Sequence, residues 1–433
     1  MSASAGEVAR AIAAIWHSES AKVVAHVARI THDLGLAEDC AQDALVAALE
    51  HWPELGIPER PGAWLMTAAK RRALDHLRHQ KLAAPRHEAL GHETDLQHAI
   101  AAREFAEMVD ARLDDAIGDD LLRLIFTACH PVLAPEARSA LTLRVMGGLS
   151  TAEIARAYLK PEATIAQRIV RAKRSLAAAQ VPFEMPRGDA LQARLASVLE
   201  VLYLMFNEGY AATAGPEWTR PALCGEALRL ARVLAGLMPR QSEVLGLLAL
   251  MELQSSRLDA RVDAGGAPVL LARQDRRRWD HRLIHRGLDA LAHAQALPGP
   301  LGPYALQAAI AACHACAAHA DDTDWTRIVA LYDALLQTTP SPVIALNRAV
   351  AVAMAFGPAA GLELVDALRT EPALAQYHLL PAVRGDLLMR LDCRPEARAE
   401  FERAAALAAN ASERALLLKR AATCRILADG DRR

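Results

Sequence analysis

Three observations predict an all-α protein. Hydrophobic residues make up 53% of the 433 residues and aromatic residues only 4%. Alanine and leucine, both strong helix formers, dominate the apolar set. Apolar residues also recur three or four positions apart through most of the chain, which is the spacing of one helix face. The length allows two or three domains, each with its own core.

The charge and the cysteine content restrict the classes of function. A net charge of −2 and a pI near 6.8 exclude a chain that binds nucleic acid through a general excess of positive charge, so basic surfaces must be local. Seven cysteines are scattered through helical patterns, as reduced thiols are. The first residues lack a signal-peptide pattern and no apolar run reaches 18 residues, so we expect a cytoplasmic protein with no membrane partner.

Three helices are expected in the first domain, residues 1–82. Apolar spacing places the first at 7–30 and the second after a turn at 33–36. The inward positions of the second helix are Ala41, Leu45, Ala48 and Leu49. Its first turns suit the positive end of the helix dipole because they carry Glu38, Asp39, Gln42 and Asp43. A loop at 53–62, with three prolines, precedes the third helix at 63–79.

The third helix combines one aromatic residue with several basic residues. These are Trp64, Lys70, Arg71, Arg72, Arg78 and Lys81. Such a surface can stack on unpaired bases while it follows the phosphate backbone. The alternative is an ordinary amphipathic helix whose basic residues are solvated and whose buried positions are Trp64, Leu65, Ala68, Leu74 and Leu77.

Residues 141–178 predict a helix-turn-helix. An apolar helix ends at a pair of glycines, and Ser150 or Thr151 can cap a short second helix that ends near Tyr158. Glu153 is spaced to reach back to the capping residue. The motif is typical of proteins that place a helix in the major groove of DNA.

The last helix of this motif opens at Pro161 and has two distinct faces. Its buried stripe is expected at Ile165, Ile169, Ala172 and Leu176. Its outward face carries Gln167, Arg168, Arg171, Lys173 and Arg174. No acidic residue stands four positions from these basic residues to pair with them along the helix. This face is therefore suited to binding phosphates and base edges. A solvated face remains the alternative.

Residues 190–433 predict a succession of helices. The segment at 259–280 breaks the pattern and indicates a loop or a short hairpin. A weak repeat near the period of a 34-residue helical hairpin predicts a tetratricopeptide-like (TPR-like) array. Its packing positions are Gly385, Leu388, Ala397, Phe401 and Ala404, with Ala360, Leu364 and Ala367 in an earlier copy. Such an array offers a surface to a protein or a small ligand.

Polar clusters in this half favour structural roles. Asn207, Glu208 and Tyr210 follow an apolar helix, and a regulatory contact with a partner or ligand is the alternative to structural contacts. The cysteines and histidines at 313–319 do not match haem or zinc spacing, and the pair at 281 and 285 lacks an activating glutamate. The cysteines are expected to be buried. We expect no metal, no cofactor and no catalytic residues, and hence not an enzyme.

Several segments resemble one known family. LAEDCAQDALVAALEHWP is similar to its region 2 core, AWLMTAAKRRALDHLR to its part that melts the promoter and reads the −10 element, and the helix-turn-helix to its region 4. VLYLMFNEGYAAT, QDRRRWD and SPVIALNRAVAVA are similar to a subgroup with a long TPR-like C-terminal extension. The family is that of the extracytoplasmic-function RNA polymerase sigma factors, group 4 of the sigma-70 family. The resemblance implies region 2 at 1–82, a linker at 83–115, region 4 at 116–180 and the extension at 190–433.

The resemblance also implies which residues bind each partner. Core RNA polymerase is bound at its β′ clamp helices by Asp39, Gln42 and Asp43, and its β flap is a further expected contact. The −10 element, melted and with a flipped base, is bound by Glu59, Arg60, Trp64, Lys70, Arg71, Arg72, Asp75 and Arg78. The −35 element is bound by Glu162, Thr164, Ala166, Gln167, Arg168, Arg171 and Lys173. Position 166 departs from many members of the family, which carry a longer polar side chain there.

We therefore expect a sigma factor that binds core RNA polymerase and directs initiation at promoters with −35 and −10 elements. Its C-terminal extension is expected to govern activity, by intramolecular contact or with a partner. The alternative is a stand-alone helix-turn-helix regulator with a TPR-like sensory or scaffold domain. Residues 36–81 distinguish the two, because such a regulator would not need them.

Overall fold

The computed structural model confirms an all-α fold. It describes residues 5–83, 110–158, 160–211, 218–265 and 267–430. The chain divides into two compact units, residues 1–201 and 202–433. Most of the linker expected at 83–115 lies outside the described residues. No helix within the described ranges is long and apolar enough to cross a membrane.

In the described part of the first unit there are seven complete helices and the start of an eighth. They are α1 (Ala5–Thr31), α2 (Leu34–Leu55), α3 (Pro61–Ala83), α4 (Asp110–Ala128), α5 (Pro135–Val145), α6 (Thr151–Tyr158), α7 (Glu162–Ala178) and α8 (Asp189–Tyr210). Helices α1, α2 and α3 pack against one another as a bundle. Asp33 fixes the start of α2, because its carboxylate accepts the N–H groups of Gly35 at 2.7 Å and Leu36 at 3.1 Å.

The core of this bundle is built largely from alanine. Helix α2 buries Ala41, Ala44 and Ala48 completely, whereas Leu49 is 46% exposed. The expected inward position of Leu49 is therefore wrong. The alternative of an ordinary amphipathic α3 is wrong in its burial of Leu74, which is 37% exposed. Small residues occupy many of the contacts because they let the helix backbones approach closely, and Leu49 and Leu74 fall outside them.

Helix α2 also continues beyond its expected end. It runs to Leu55 with Pro53 in its last turn, so the loop expected at 53–62 is shortened to residues 56–60. Proline is tolerated there because it removes one hydrogen bond near the helix end, where few turns remain to be disturbed. Gly56 then ends the helix with a φ of +84°, and its N–H donates to the carbonyl of Trp52.

The helix-turn-helix forms as its capping pattern predicts. The Ser150 hydroxyl accepts the N–H of Glu153 at 3.2 Å, and the Glu153 carboxylate accepts the N–H of Ser150 at 2.8 Å. Helix α6 ends at Tyr158 as expected. The predicted stripe of α7 is buried at all four positions, Ile165, Ile169, Ala172 and Leu176. Pro161 lies one residue before the first residue of α7 and serves as its N-cap.

Among its described residues, the second unit contains several short 3-10 helices, the rest of α8 and ten further α-helices. They are α9 (Pro221–Leu237), α10 (Ser242–Ser255), α11 (His281–Ala296), α12 (Pro303–Cys316), α13 (Trp325–Thr338), α14 (Pro342–Phe356), α15 (Pro358–Ala367), α16 (Leu379–Arg390), α17 (Arg394–Leu407) and α18 (Ala411–Gly430). From α13 onward each helix packs mainly against its neighbours in sequence, as in an array of helical hairpins, whereas α12 packs mainly against α10. A specific TPR assignment stays a prediction.

The hairpin of α16 and α17 uses the packing positions expected from the repeat. Gly385 allows the two helices to approach, because a Cβ there would lie 2.9 Å from Cε1 of Phe401. Phe401 is 1% exposed. In the earlier copy of the repeat, Ala367 was expected at a packing position but is exposed, so the repeat pattern is not kept at that position. The break after α10 is the short hairpin expected, with a bridge between Val262 and Pro268.

His314, near the end of α12, lies in a cationic and partly apolar environment. Its ring meets that of Trp325 edge to face at 5.2 Å, and the Arg276 guanidinium donates to its backbone carbonyl at 2.5 Å. Burial, reinforced by the positive charges of Arg257 and Arg276, lowers the pKa of His314 to about 4. The imidazole is therefore neutral in the folded protein at neutral pH.

This lowered pKa predicts a loss of stability in mild acid. Above the ordinary pKa of 6.5 the imidazole is neutral whether folded or unfolded, so the full stability is present. As the pH falls from 6.5 towards 4, His314 becomes protonated in the unfolded chain but stays neutral in the folded protein, so the unfolded state is stabilised relative to the folded state. Between pH 7 and pH 5 we expect a loss of up to about 2 kcal/mol in the free energy of unfolding. Urea unfolding should show a smaller loss for His314→Phe, and an equal loss would contradict the assignment.

Candidate nucleic-acid interface

A cavity of about 610 Å³ lies where the loop before α3 meets the first turns of that helix. Four residues expected to bind the −10 element line it, namely Glu59, Arg60, Trp64 and Arg71. Glu59, Arg60 and Arg71 are exposed and Trp64 is half-buried. The loop ends at Pro61, the first residue of α3, so Glu59 and Arg60 lie one helical turn from Trp64. The cavity therefore combines an aromatic wall with polar groups at its rim, which suits an unstacked base.

Trp64 is held in place by a second tryptophan. The rings of Trp52 and Trp64 meet edge to face, with centroids 5.3 Å apart and planes inclined at 68°. Trp52 is 2% exposed and is anchored at the end of α2. The half-buried indole of Trp64 is thus oriented by the core while its other side lines the cavity.

The remaining residues expected at the −10 element lie along the exposed face of α3. Lys70, Arg72, Asp75 and Arg78 are all exposed. Arg72 forms an ion pair of 3.2 Å with Asp43 of α2, and Arg78 forms one of 3.5 Å with Asp75. Exposed pairs of this kind contribute little to stability, so these side chains can exchange partners at small cost. The side chain of Lys81 is not among those described.

The three residues expected to bind core polymerase lie near the start of α2. Asp39 and Asp43 are exposed, with side-chain exposures of 78% and 57%. Gln42 is half-buried. Between them Cys40 is buried, and burial raises the pKa of its thiol. The acidic side chains thus stand outward on a rigid helix, in a geometry suited to docking on another protein.

The face of α7 that is expected to read the −35 element is mostly open. Four of the expected residues are exposed, namely Glu162, Thr164, Gln167 and Arg171. Three are partly buried, namely Ala166, Arg168 and Lys173. Gln167 and Arg171 lie opposite the buried stripe, as a helix lying in a major groove requires, whereas Ala166 and Lys173 flank the stripe on one side and Arg168 flanks it on the other.

Lys173 is engaged by a buried carboxylate of α2. Its Nζ lies 2.5 Å from one oxygen of Glu38 and 4.0 Å from the carboxylate of Asp39. The other oxygen of Glu38 accepts Nε of Arg144 at 2.5 Å, and Arg144 also donates to the carbonyl of Leu149 at 3.1 Å in the turn of the helix-turn-helix. We call Glu38, Arg144 and Lys173 the Glu38 cluster. It links the acidic helix to the helix-turn-helix within the first unit.

Two further contacts hold these elements together. Gly148 adopts a φ of +66°, and a Cβ there would collide with the Ser20 hydroxyl of α1, so the turn packs directly on that helix. Asp120 of α4 is 2% exposed and accepts Nε of Arg29 of α1 at 2.9 Å and Arg123 at 2.6 Å. The three-helix bundle and the helix-turn-helix therefore form one packed body in this structure.

Glu38 and Arg144 are the functional candidates that the sequence did not reveal. Glu38 was explained as a dipole-capping residue, yet it is 4% exposed and pairs with residues far along the chain. No local spacing signals such a pair, because 106 positions separate Glu38 from Arg144.

The polar residues singled out in the second unit make contacts inside that unit. Glu208 pairs with Arg220, and the Tyr210 hydroxyl accepts from Arg257. The guanidinium of Arg261 lies 3.7 Å above the Tyr210 ring. Asn207 is half-buried. These contacts favour the structural interpretation of Asn207, Glu208 and Tyr210.

The cysteines and histidines of the second unit do not converge on a metal site. Cys313 is half-buried and Cys316 is exposed, so burial was the wrong expectation for Cys316. Within the described ranges no three His, Cys, Asp or Glu side chains are placed to hold a metal ion. His281 and His285 are both exposed on α11.

Three family models match the chain. The model described as sigma-70 region 2 matches residues 15–82, and the model described as sigma-70, region 4 matches residues 123–176. A family of unknown function, DUF6596, matches residues 194–295. The first two models cover the three-helix bundle and the helix-turn-helix.

Relatives of this chain support the same grouping. An uncharacterized protein of Rhizobium meliloti, R00370, is 45% identical over 392 residues, which is 90% of each chain. The ECF RNA polymerase sigma factor SigK of Mycobacterium tuberculosis is 29% identical over 173 residues, 40% of this chain and 87% of the relative. SigL of the same species is 28% identical over 177 residues, 41% of this chain and 92% of the relative. No solved structure matches the chain. The chain belongs to the extracytoplasmic-function sigma factors of the sigma-70 family, and it carries a long helical extension after region 4.

Proposed function

We propose that this sigma factor directs core RNA polymerase to promoters through two separate DNA contacts. Region 2 binds the −10 element as a melted strand, with one base in the cavity beside Trp64. Helix α7 binds the −35 element in the major groove. Asp39, Gln42 and Asp43 dock on the β′ clamp helices, and region 4 on the β flap. Since the proposed partner is RNA polymerase, the proposed place of action is the cytoplasm.

The cavity at the start of α3 carries this proposal. A stand-alone regulator that binds duplex DNA through a helix-turn-helix has no use for an aromatic-walled cavity with Glu59, Arg60 and Arg71 at its rim. A protein that captures an unpaired base needs those features, because the base must find a stacking partner and edge-reading groups. The cavity volume of about 610 Å³ accommodates a nucleobase.

The Glu38 cluster implies that DNA binding requires a rearrangement. Lys173 is 21% exposed and paired with Glu38, so in this form its Nζ is held against α2 rather than extended towards a phosphate or base. Binding of polymerase to α2 and of DNA to α7 would both favour separation. We therefore propose that the compact first unit is the resting form and that promoter engagement opens it. The helical extension, residues 190–433, is proposed to govern activity.

Run-off transcription with purified core polymerase tests the main proposal. The full-length protein, added to core enzyme and a library of promoter fragments from its own genome, should support initiation at a defined subset. Core enzyme alone and core enzyme with the Trp64→Ala variant are the controls. If initiation is seen from no promoter in the library, the sigma assignment of the two DNA contacts is wrong.

Arg171 offers a sharper test of the −35 surface. It is exposed on the outward face of α7, and Arg171→Ala is expected to weaken promoter binding by about 1 to 3 kcal/mol if it reads a base. If it contacts phosphate instead, the slope of log affinity against log salt should fall by about one. Filter binding or anisotropy of holoenzyme across a salt series measures both. Arg187→Ala, which removes an exposed charge outside α7, is the control. An unchanged affinity and slope for Arg171→Ala would mean that this face is merely solvated.

A further inference from the structure

A second cavity, of about 840 Å³, lies wholly within the helical extension. Its walls come from the short hairpin after α10 and from helices α16, α17 and α18. Sites for small organic ligands typically have volumes of 300 to 1,000 Å³, so the cavity has the size of a ligand site. It is too large for a simple ion. No residue expected to bind polymerase or promoter DNA lines it.

The cavity is lined by cations that lack acidic partners. Arg273, Arg390 and Lys419 line it and are exposed, and in the described part of the chain none of the three is paired with a carboxylate. Arg390 donates instead to the thioether of Met354 at 3.1 Å. Three uncompensated positive charges on one cavity would repel one another, so a bound anion would be favourable.

The two acidic residues of the cavity are already engaged. Asp386 pairs with Arg420. The carboxylate of Asp263 accepts the N–H groups of Gly265 at 2.8 Å and Ala267 at 2.9 Å, and so closes its own turn. Neither acid is therefore available to neutralise the three free cations, and the lining keeps a surplus of positive charge.

The deep side of the cavity is apolar and aromatic. Phe401, Met389 and Leu416 contribute to it, and the Arg420 guanidinium lies 4.3 Å above the Phe401 ring. Burial, together with the positive charge of Arg273, lowers the pKa of Arg420 to about 10. A ligand with an apolar body would displace water from this wall while its anionic group met the cations at the rim.

We propose that this cavity is a binding site for a small organic anion that joins an apolar or aromatic body to a carboxylate, sulfonate or phosphate group. Arg273, Arg390 and Lys419 bind the anionic group, and the wall around Phe401 and Leu416 packs against the body. The proposal does not rest on promoter recognition, and its test needs neither DNA nor polymerase.

The probe for the test is 8-anilinonaphthalene-1-sulfonate (ANS), an aromatic sulfonate whose fluorescence rises in apolar surroundings. Titration of the full-length protein should show saturable binding at one site per chain. The double variant Arg390→Gln/Lys419→Gln should bind ANS about tenfold or more weakly, because charge-assisted hydrogen bonds are lost. Arg282→Gln/Arg286→Gln removes two exposed charges from α11 and should bind ANS as the parent protein does. Nile red, which is uncharged, should bind both double variants equally.

A third variant tests the cavity without changing its charge. Ala415 lies on the exposed rim of the cavity, and Ala415→Trp should fill it and weaken ANS binding while the far-ultraviolet circular dichroism stays unchanged. The proposal is overturned if Arg390→Gln/Lys419→Gln binds ANS as tightly as the parent protein, or if both double variants lose affinity equally. It is also overturned if Ala415→Trp folds normally and binds ANS unchanged.

Discussion

The double variant Asp39→Ala/Gln42→Ala is expected to lose capture of core RNA polymerase while it keeps its fold. Asp39 has 78% of its side chain exposed, and Gln42 lies one turn further along the same face of α2. Neither contributes to the buried core, which α2 forms with Ala41, Ala44 and Trp52. If both side chains are central contacts of the interface, their removal should cost about 3 kcal/mol or more, which is at least a hundredfold in affinity.

Co-purification with tagged β′ and competition against another sigma factor measure this loss. Glu50→Ala/Glu54→Ala is the matched control, because it removes two exposed acids from the same helix outside the expected contact. That control should capture polymerase at the parent level. Unchanged co-purification of Asp39→Ala/Gln42→Ala would place the polymerase contact elsewhere. An equal loss in both variants would mean that only the general negative charge of α2 matters.

The local features of the fold were predictable because they depend on neighbours in sequence. The stripe of α7 and the Ser150–Glu153 capping box follow from spacings of three and four residues, and both are confirmed. The inward faces of α2 and α3 were harder to predict, since alanine and leucine occur on several sides of these helices. Leu49 and Leu74 were therefore misplaced. In alanine-rich bundles the contact is set by how closely the backbones approach, which apolar periodicity does not reveal.

The candidate sites likewise include some that the sequence indicated and others that only the structure shows. The resemblance to the family grouped Glu59, Arg60 and Trp64, and the structure places them around one cavity. Neither periodicity nor resemblance indicated that Glu38 would be buried with Arg144 and Lys173. The charged cavity of the extension was equally hidden, because its walls come from residues 263 to 423, which meet only when the array is folded.

Removal of the Glu38 carboxylate is expected to have the largest effect on the stability of the first unit. Its side chain is 5% exposed, and it is the partner of both Arg144 and Lys173, whose side chains are 18% and 21% exposed. In Glu38→Ala the guanidinium of Arg144 keeps its desolvation and loses its countercharge. Loss of one partner of a buried ion pair costs about 3 kcal/mol or more. Hydrogen exchange of the full-length protein should show faster exchange in α2 and α7, with the helices of the second unit unchanged.

Variants of the Glu38 cluster can distinguish two roles: stabilising the first unit, and holding Lys173 away from DNA until the promoter binds. Glu38→Gln keeps the shape and one hydrogen-bond acceptor but removes the charge that holds Lys173, so it should destabilise the unit less than Glu38→Ala does. If Lys173 is released to DNA when the promoter binds, Glu38→Gln should raise promoter affinity of the holoenzyme at an unchanged salt slope, because the same phosphate contact forms in both complexes and only the cost of breaking the ion pair is removed. Adding Lys173→Met should cancel that gain, whereas Lys173→Met alone should weaken binding. A Glu38→Gln variant with parental promoter affinity, or a Lys173→Met variant with a parental salt slope, would remove the opening step from the proposed mechanism.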